Sequence, residues 1–301
     1  MTKFSYVAAV AVMASQAYAD KCYAIAFSSG DQTAAYQAGA LKGLIEGHPG
    51  ETGYTAVSGV SGGAVNAAIL ASFPVGEEAS AAQRMQTFWE NSGNTKLWHD
   101  WPGGVAEGMF VKGGLYNDKP LYNFLASELT DIVPNQRFVD VALANIANGT
   151  IDEFYGNDLA TGDLLDVMYG SFSFPGFFAP EVAMASDWFD GGMVWDIDVF
   201  SAVNKCMETH AQEDIVLDVV LADTRHLREV DASNYVTWQV LKRAAFIIRY
   251  TTQLDGLLRA QFAYPNIQWR HIIAPSTALP EPDLPMVSEY FKLTHSELHR
   301  R

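Results

Sequence analysis

Basic side chains are scarce in this 301-residue chain: 19 Lys and Arg stand against 35 Asp and Glu, a formal net charge of -16. Neutralising phosphates takes clustered cations, so the composition argues against a nucleic-acid partner. It argues equally against electrostatic docking on anionic membranes. Any lipid contact must be apolar, or must involve neutral or dispersed lipid. Cysteine is rarer still. Cys22 and Cys206 are the only two and lie too far apart to offer a metal-binding spacing. No segment after the N-terminal region could span a bilayer; the longest apolar stretches, such as residues 215–222, are of strand length. Low-complexity tracts, internal repeats and composition breaks are all missing. Apolar residues make up 49% of the chain, so a globular protein with an ample core is expected.

The first 19 residues differ from the rest. Lys3 supplies a basic start, residues 6–13 form a short apolar run, and Ala17-Tyr18-Ala19 makes a small-x-small cleavage site before Asp20. This reads as a cleaved secretory signal, with residues 20–301 as a single domain in the periplasm, the secretory-pathway lumen or the extracellular space. In such an oxidising compartment Cys22 and Cys206 form either one disulfide or two buried free thiols, and the sequence leaves both open. Lys21 ahead of Cys22 argues against lipidation.

Residues 54–72 carry the most chemistry. A β-prone run meets Gly59-Val60-Ser61-Gly62-Gly63, and small helix-compatible residues follow at once. A G-x-S-x-G between strand and helix puts its serine on a strained turn at a helix N-terminus, with Oγ expected to stand exposed above the sheet. Gly59 and Gly63 leave room for the neighbouring strand and helix. The rival reading is a glycine-rich turn with an incidental serine. Around this motif, strands are expected at residues 23–27, 214–221 and 268–273, helices at 34–47 and 164–169, and a long amphipathic helix or pair of helices at 237–262, with a charged C-terminal helix from residue 286. Residues 138–155 read as a hairpin closed by a two-residue Asn148-Gly149 turn, and Asn148-Gly149-Thr150 is also an N-glycosylation sequon. Strands alternating with helices predict an α/β fold with a mostly parallel central sheet covered on both faces.

A serine hydroxyl needs a base and donors for the developing oxyanion. The base candidate is Asp190, in Trp188-Phe189-Asp190-Gly191-Gly192, where flanking aromatics would desolvate the carboxylate and Gly191 and Gly192 admit a close backbone. Taken alone, Asp-Gly is also an ordinary turn. His210, His226 and His271 follow Asp190, as a Ser, Asp, His order requires, but none lies in a small-residue or turn context. A two-residue arrangement is therefore preferred to a triad, with a histidine-dependent esterase as a rival. The loop Ser29-Gly30-Asp31 opens into a helix, so the N–H groups of Gly30 and Asp31, with that of Gly62, are the expected oxyanion donors. Trp98, Trp101 and Phe110 serve either as an apolar rim toward lipid or as core.

Four segments in order resemble the patatin-like phospholipases. They are Ala35-Tyr36-Gln37-Ala38-Gly39-Ala40-Leu41; the Ser61 pentapeptide; Ser171-Phe172-Ser173-Phe174-Pro175-Gly176-Phe177-Phe178-Ala179-Pro180; and Asp190-Gly191-Gly192. Gly113-Gly114-Leu115-Tyr116 and Pro120-Leu121 add weaker support. The resemblance runs from about residue 23 to 199 and implies a three-layer fold, a Ser61–Asp190 dyad without histidine, hydrolysis of lipid or phospholipid esters through an acyl-enzyme, and no metal or organic cofactor. One departure stands out. Where the family usually has Gly-Gly-Gly-x-Arg-Gly, this chain has Ser29-Gly30-Asp31-Gln32-Thr33-Ala34, which keeps only the middle glycine and puts Thr33 in place of the arginine. Losing one aimed donor lowers turnover by about 100-fold or more. The expected function is accordingly a lipid acyl hydrolase, with a catalytically weak lipid-binding or storage protein as the alternative.

Overall fold

The computed structural model describes residues 21–277 and 279, apart from 157, 158, 160–162, 184, 185, 225 and 228. The expected secretory signal and the charged helix from residue 286 lie outside the described residues. In chain order the elements are β1 (Cys22–Phe27), α1 (Ala35–Gly47), β2 (Tyr54–Val60), α2 (Gly62–Ala71), α3 (Glu78–Gly93), β3 (His99–Asp100), α4 (Gly104–Phe110), β4 (Tyr116–Asn117) and α5 (Lys119–Glu128). There follow β5 (Phe138–Asn145), β6 (Ile151–Tyr155), α6 (Leu164–Ser171), β7 (Glu181–Ala183), β8 (Ser186–Asp190), α7 (Phe200–Met207), β9 (Ile215–Val220), α8 (Thr237–Ala263) and β10 (Gln268–Ile273).

The central sheet runs β10-β9-β1-β2-β5-β8-β7, with β6 also paired to β5. Strands β10, β9, β1, β2 and β5 are parallel to one another, whereas β6, β7 and β8 join antiparallel. The parallel block is where the near-continuous apolar runs fall: β9 is buried along its whole length, as expected of strands covered on both faces. One face packs against α1, α2, α3, α5 and α6 through Leu41, Ile69, Met85, Leu125 and Met168. The other packs Ala24, Ala26, Leu217 and Val219 under α7 and α8, through Ala202, Val203 and Ala260. The three-layer α/β arrangement is thus the one expected.

Sequence and structure part in one loop. The 138–155 region does form an antiparallel pair, but the turn is wider than two residues. Asn145 N–H bonds to Thr150 O across it, Gly149 N–H returns to Asn145 O, and the Asn145 side-chain oxygen accepts from Ala147 N. That side chain holds the chain open one step before Asn148-Gly149 could close it. Asn148 lies exposed at the tip, its side-chain oxygen accepting from Thr150. Cys22 and Cys206 are disulfide-bonded, with Cα atoms 5.7 Å apart, joining the start of β1 to α7. Among the described residues no helix is long and apolar enough to cross a membrane.

Candidate active site

Ser61 sits where β2 turns into α2, with φ 56°. A side chain in that region of backbone space is held there only by its surroundings. The surroundings are close-packed backbones: a Cβ on Gly59 would collide with the Gly63 carbonyl, and one on Gly63 with the carbonyls of Phe27 and Ser28 at the end of β1. The glycines of the pentapeptide therefore let β1, β2 and α2 converge beneath the serine.

Asp190 ends β8, and its own N–H bonds to Ser173 O, so the Ser-Phe-rich corner holds the aspartate motif in place. The Asp190 carboxylate accepts from Gly192 N at 2.8 Å and from Ser61 Oγ at 3.0 Å. Two side chains 129 positions apart thus meet directly. Both are 0% exposed, so the expected exposed Oγ is corrected: the close approach of β2, α2 and the Asp190 turn seals the hydroxyl from solvent. Burial, first, and then the negative charge of Asp31 push the Asp190 carboxyl up to about 7, against the pull of Arg249, Gly192 N–H and Ser61.

The loop after β1 closes the site from above. Ser29 packs on Gly192, where a Cβ would have no room, and Gly62 abuts the Asp31 carbonyl in the same way. Gly62 opens α2 and Asp31 opens a short 3-10 turn (Asp31–Ala34), so neither N–H has an acceptor in its own helix. Among the described residues, neither they nor the Gly30 N–H makes another backbone hydrogen bond. The loop is tied to the helices by a buried chain: Gln37 Nε2 to Ser28 O, Asn66 Nδ2 to Gln37 Oε1, and Trp89 Nε1 to Asn66 Oδ1, each at 2.8 Å.

Beside the loop lies a cavity of about 280 Å³ walled by Phe88, Trp89, Leu125, Phe172, Phe177 and Phe178, with Asp31 and Gln32 at one side. Gln32 is buried there with neither amide atom hydrogen-bonded. The aromatics of the expected rim separate. Trp98 lines the cavity and packs on Phe178, Trp101 donates to Gly114 O, and only Phe110 stands out in solvent, 81% exposed. Gly114 packs on the Phe178 backbone and Leu115 N–H bonds to Gly176 O, so the weaker glycine motif braces the proline-phenylalanine corner.

The three candidate histidines are elsewhere. His271 faces His48 at 2.8 Å and His210 pairs with Thr209, both apart from Ser61 and Asp190; His226 is exposed. On the α7 side of the sheet, Asp140, Glu153 and Asp198 bring oxygens within 4.8 Å of one another, the one set among the described residues with the donors for a cation. Sequence reasoning missed Arg249, whose buried guanidinium reaches Asp31 at 3.1 Å. It is one of four cations in an amphipathic stretch, with Lys242, Arg243 and Arg259, and no local pattern singled it out. The helix-spaced Phe88 and Trp89 could have signalled the cavity, but core was the plainer reading.

A family model described as patatin-like phospholipase matches residues 25–203. No curated protein matches the chain. Among solved structures, VipD from Legionella pneumophila is similar at a TM-score of 0.46 and 13% identity, over 93% of this chain and 67% of that one.

Proposed function

Because the chain belongs to the patatin-like phospholipase family, we propose that it is a lipid acyl hydrolase in which Ser61 is the nucleophile and Asp190 the base. The observation that carries this reading is the 3.0 Å hydrogen bond from Ser61 Oγ to Asp190 Oδ2 on a strained turn. Ser61 Oγ attacks the ester carbonyl as its proton passes to Asp190. The oxyanion of the tetrahedral intermediate is met by the N–H groups of Gly30, Asp31 and Gly62. Asp190 returns the proton to the departing alcohol oxygen as the ester C–O bond breaks, leaving an acyl-enzyme. A water then gives a proton to Asp190, its oxygen attacks the acyl carbon, and Ser61 leaves reprotonated with release of the fatty acid. No step calls for a metal or organic cofactor.

The apolar cavity beside the loop suits an acyl chain, which supports a phospholipase A or lysophospholipase specificity. Exposed Val105, Met109, Phe110 and Val111, on and just after α4, form a transient contact with neutral lipid surface in this reading. We place the protein outside the cytoplasm, in keeping with the Cys22–Cys206 bond.

The test is treatment with a fluorophosphonate, location of the adduct by mass spectrometry, and assay of ester hydrolysis. The expected outcome is an adduct on Ser61, with Ser61→Ala and Asp190→Ala folded but at least about 1000-fold slower. Full activity in Asp190→Ala rejects the dyad. Lipid binding with no adduct under any condition would favour the storage protein.

A further inference from the structure

Resting on the hydrolase reading, one feature of the loop after β1 needs a counterweight. Asp31, with φ 46°, carries a carboxylate on the same loop as the Gly30 and Asp31 N–H groups, near enough to Asp190 for its charge to bear on that carboxyl, and a carboxylate free to swing toward the N–H groups would repel a forming oxyanion. The loop contains no cation, since Thr33 stands where the family's arginine usually is. A cation arrives instead from α8, beyond the segment that the family model matches. Arg249 is 3% exposed; its Nη1 donates to Asp31 Oδ2 at 3.1 Å and its Nη2 to Asp223 Oδ2 at 3.3 Å, while Nε lies 3.4 Å from Asp196 Oδ1. Asp196 in turn accepts from Ser29 Oγ and from Gln253 Nε2, and its carbonyl accepts from Ser29 N–H. The guanidinium therefore grips the loop on both sides of Gly30, through Asp31 directly and through Asp196 and Ser29.

We propose that Arg249 is a positioning residue of the active site, holding the Asp31 carboxylate away from the three N–H groups and setting a fixed positive charge beside them. A guanidinium suits the task because it presents a planar fork to several carboxylates and keeps its charge when buried. Burial works against that charge, but Asp31, Asp223, Asp196 and Asp190 together raise the Arg249 pKa. The charged groups that bear on Asp190 are Asp31, which raises its pKa, and Arg249, which lowers it.

The experiment follows the Asp190 carboxyl carbon by NMR in the full chain carrying carbon-13 aspartate, with Asp190→Asn for assignment, and records kcat/KM against pH on a short-chain ester. Arg249→Gln is expected to raise the Asp190 midpoint and Asp31→Asn to lower it, with the double variant returning toward wild type. The acid limb of the rate profile should move in step. At pH 9 kcat should fall at least about tenfold in Arg249→Gln and recover partly in the double variant. An Asp190 midpoint that ignores both substitutions overturns the proposal. Should Arg249→Gln not fold, Asp31→Asn decides alone, because it leaves α8 tied through Asp196 and Asp223; an unmoved midpoint there overturns the proposal too. A wild type whose Asp190 titrates as described, yet which neither hydrolyses esters nor takes up a fluorophosphonate, overturns the hydrolase reading instead.

Discussion

In the mechanism proposed above Asp190 is a carboxylate asked to act as a base, and its surroundings would suit it to that role. Solvent is excluded, which disfavours the ionised form, and the Asp31 charge adds to the effect. A carboxyl with a midpoint of about 7 is a far better proton acceptor, once ionised, than one in the ordinary range. The sign follows directly: below the midpoint Asp190 is protonated and cannot accept the Ser61 proton. We therefore expect kcat/KM to rise about tenfold per pH unit up to about 7 and to level off above it, measured from pH 5 to 9 on an uncharged ester. A profile already flat at pH 5 would contradict this. That Ser61 and Asp190 would meet was legible in the sequence because glycines lie next to both, and those glycines have a mechanical cause in the backbones that meet there. Arg249 and Gln32 were not legible. Their roles come from partners more than 200 positions away, or from a cavity wall assembled from several elements.

Among the elements, β5 shows a second cost of burying acid. Asp140 lies in the middle of the strand, opposite Ser58 of β2, and neither of its oxygens is hydrogen-bonded. Burial, and then the charge of Asp198, push its pKa up to about 9. The folded state thus holds a proton that the unfolded chain releases above about pH 4, so stability is lost as pH rises from there toward 9. Asp140→Asn should match wild type in melting temperature near pH 4 and exceed it progressively up to pH 9. A difference independent of pH would show that the carboxyl is not the cause. Element types were readable wherever one apolar run belonged to one strand or helix, as in β1, β9 and α8. The short β8 was not, because its Ser-Asp-Trp-Phe-Asp becomes a strand only by pairing antiparallel with β5 and β7. The turn after β5 likewise followed an Asn145 side chain rather than its Asn-Gly dipeptide.

At the scale of the whole molecule, the disulfide ties β1, which leads into the Ser29-Gly30-Asp31 loop, to a helix whose cysteine lies 184 positions later. Loops of that size constrain the unfolded chain strongly, so replacing both cysteines with serine should cost about 2–5 kcal/mol of stability by denaturant unfolding. An unchanged midpoint would show that the two ends are held by packing alone. Phe110, by contrast, is 81% exposed and has little packing to lose. Phe110→Asp is expected to leave hydrolysis of a monomeric ester intact while lowering the rate on neutral micelles severalfold. Equal loss on both substrates would remove the lipid-contact role from that surface.

In the proposed mechanism, the sealed position of Ser61 reaches into the second half of the reaction. An acyl group parked on that hydroxyl is cut off from bulk solvent, so the molecule that discharges it must be let in. On the hydrolase reading, release of the fatty acid is then paced by the admission of water to Ser61.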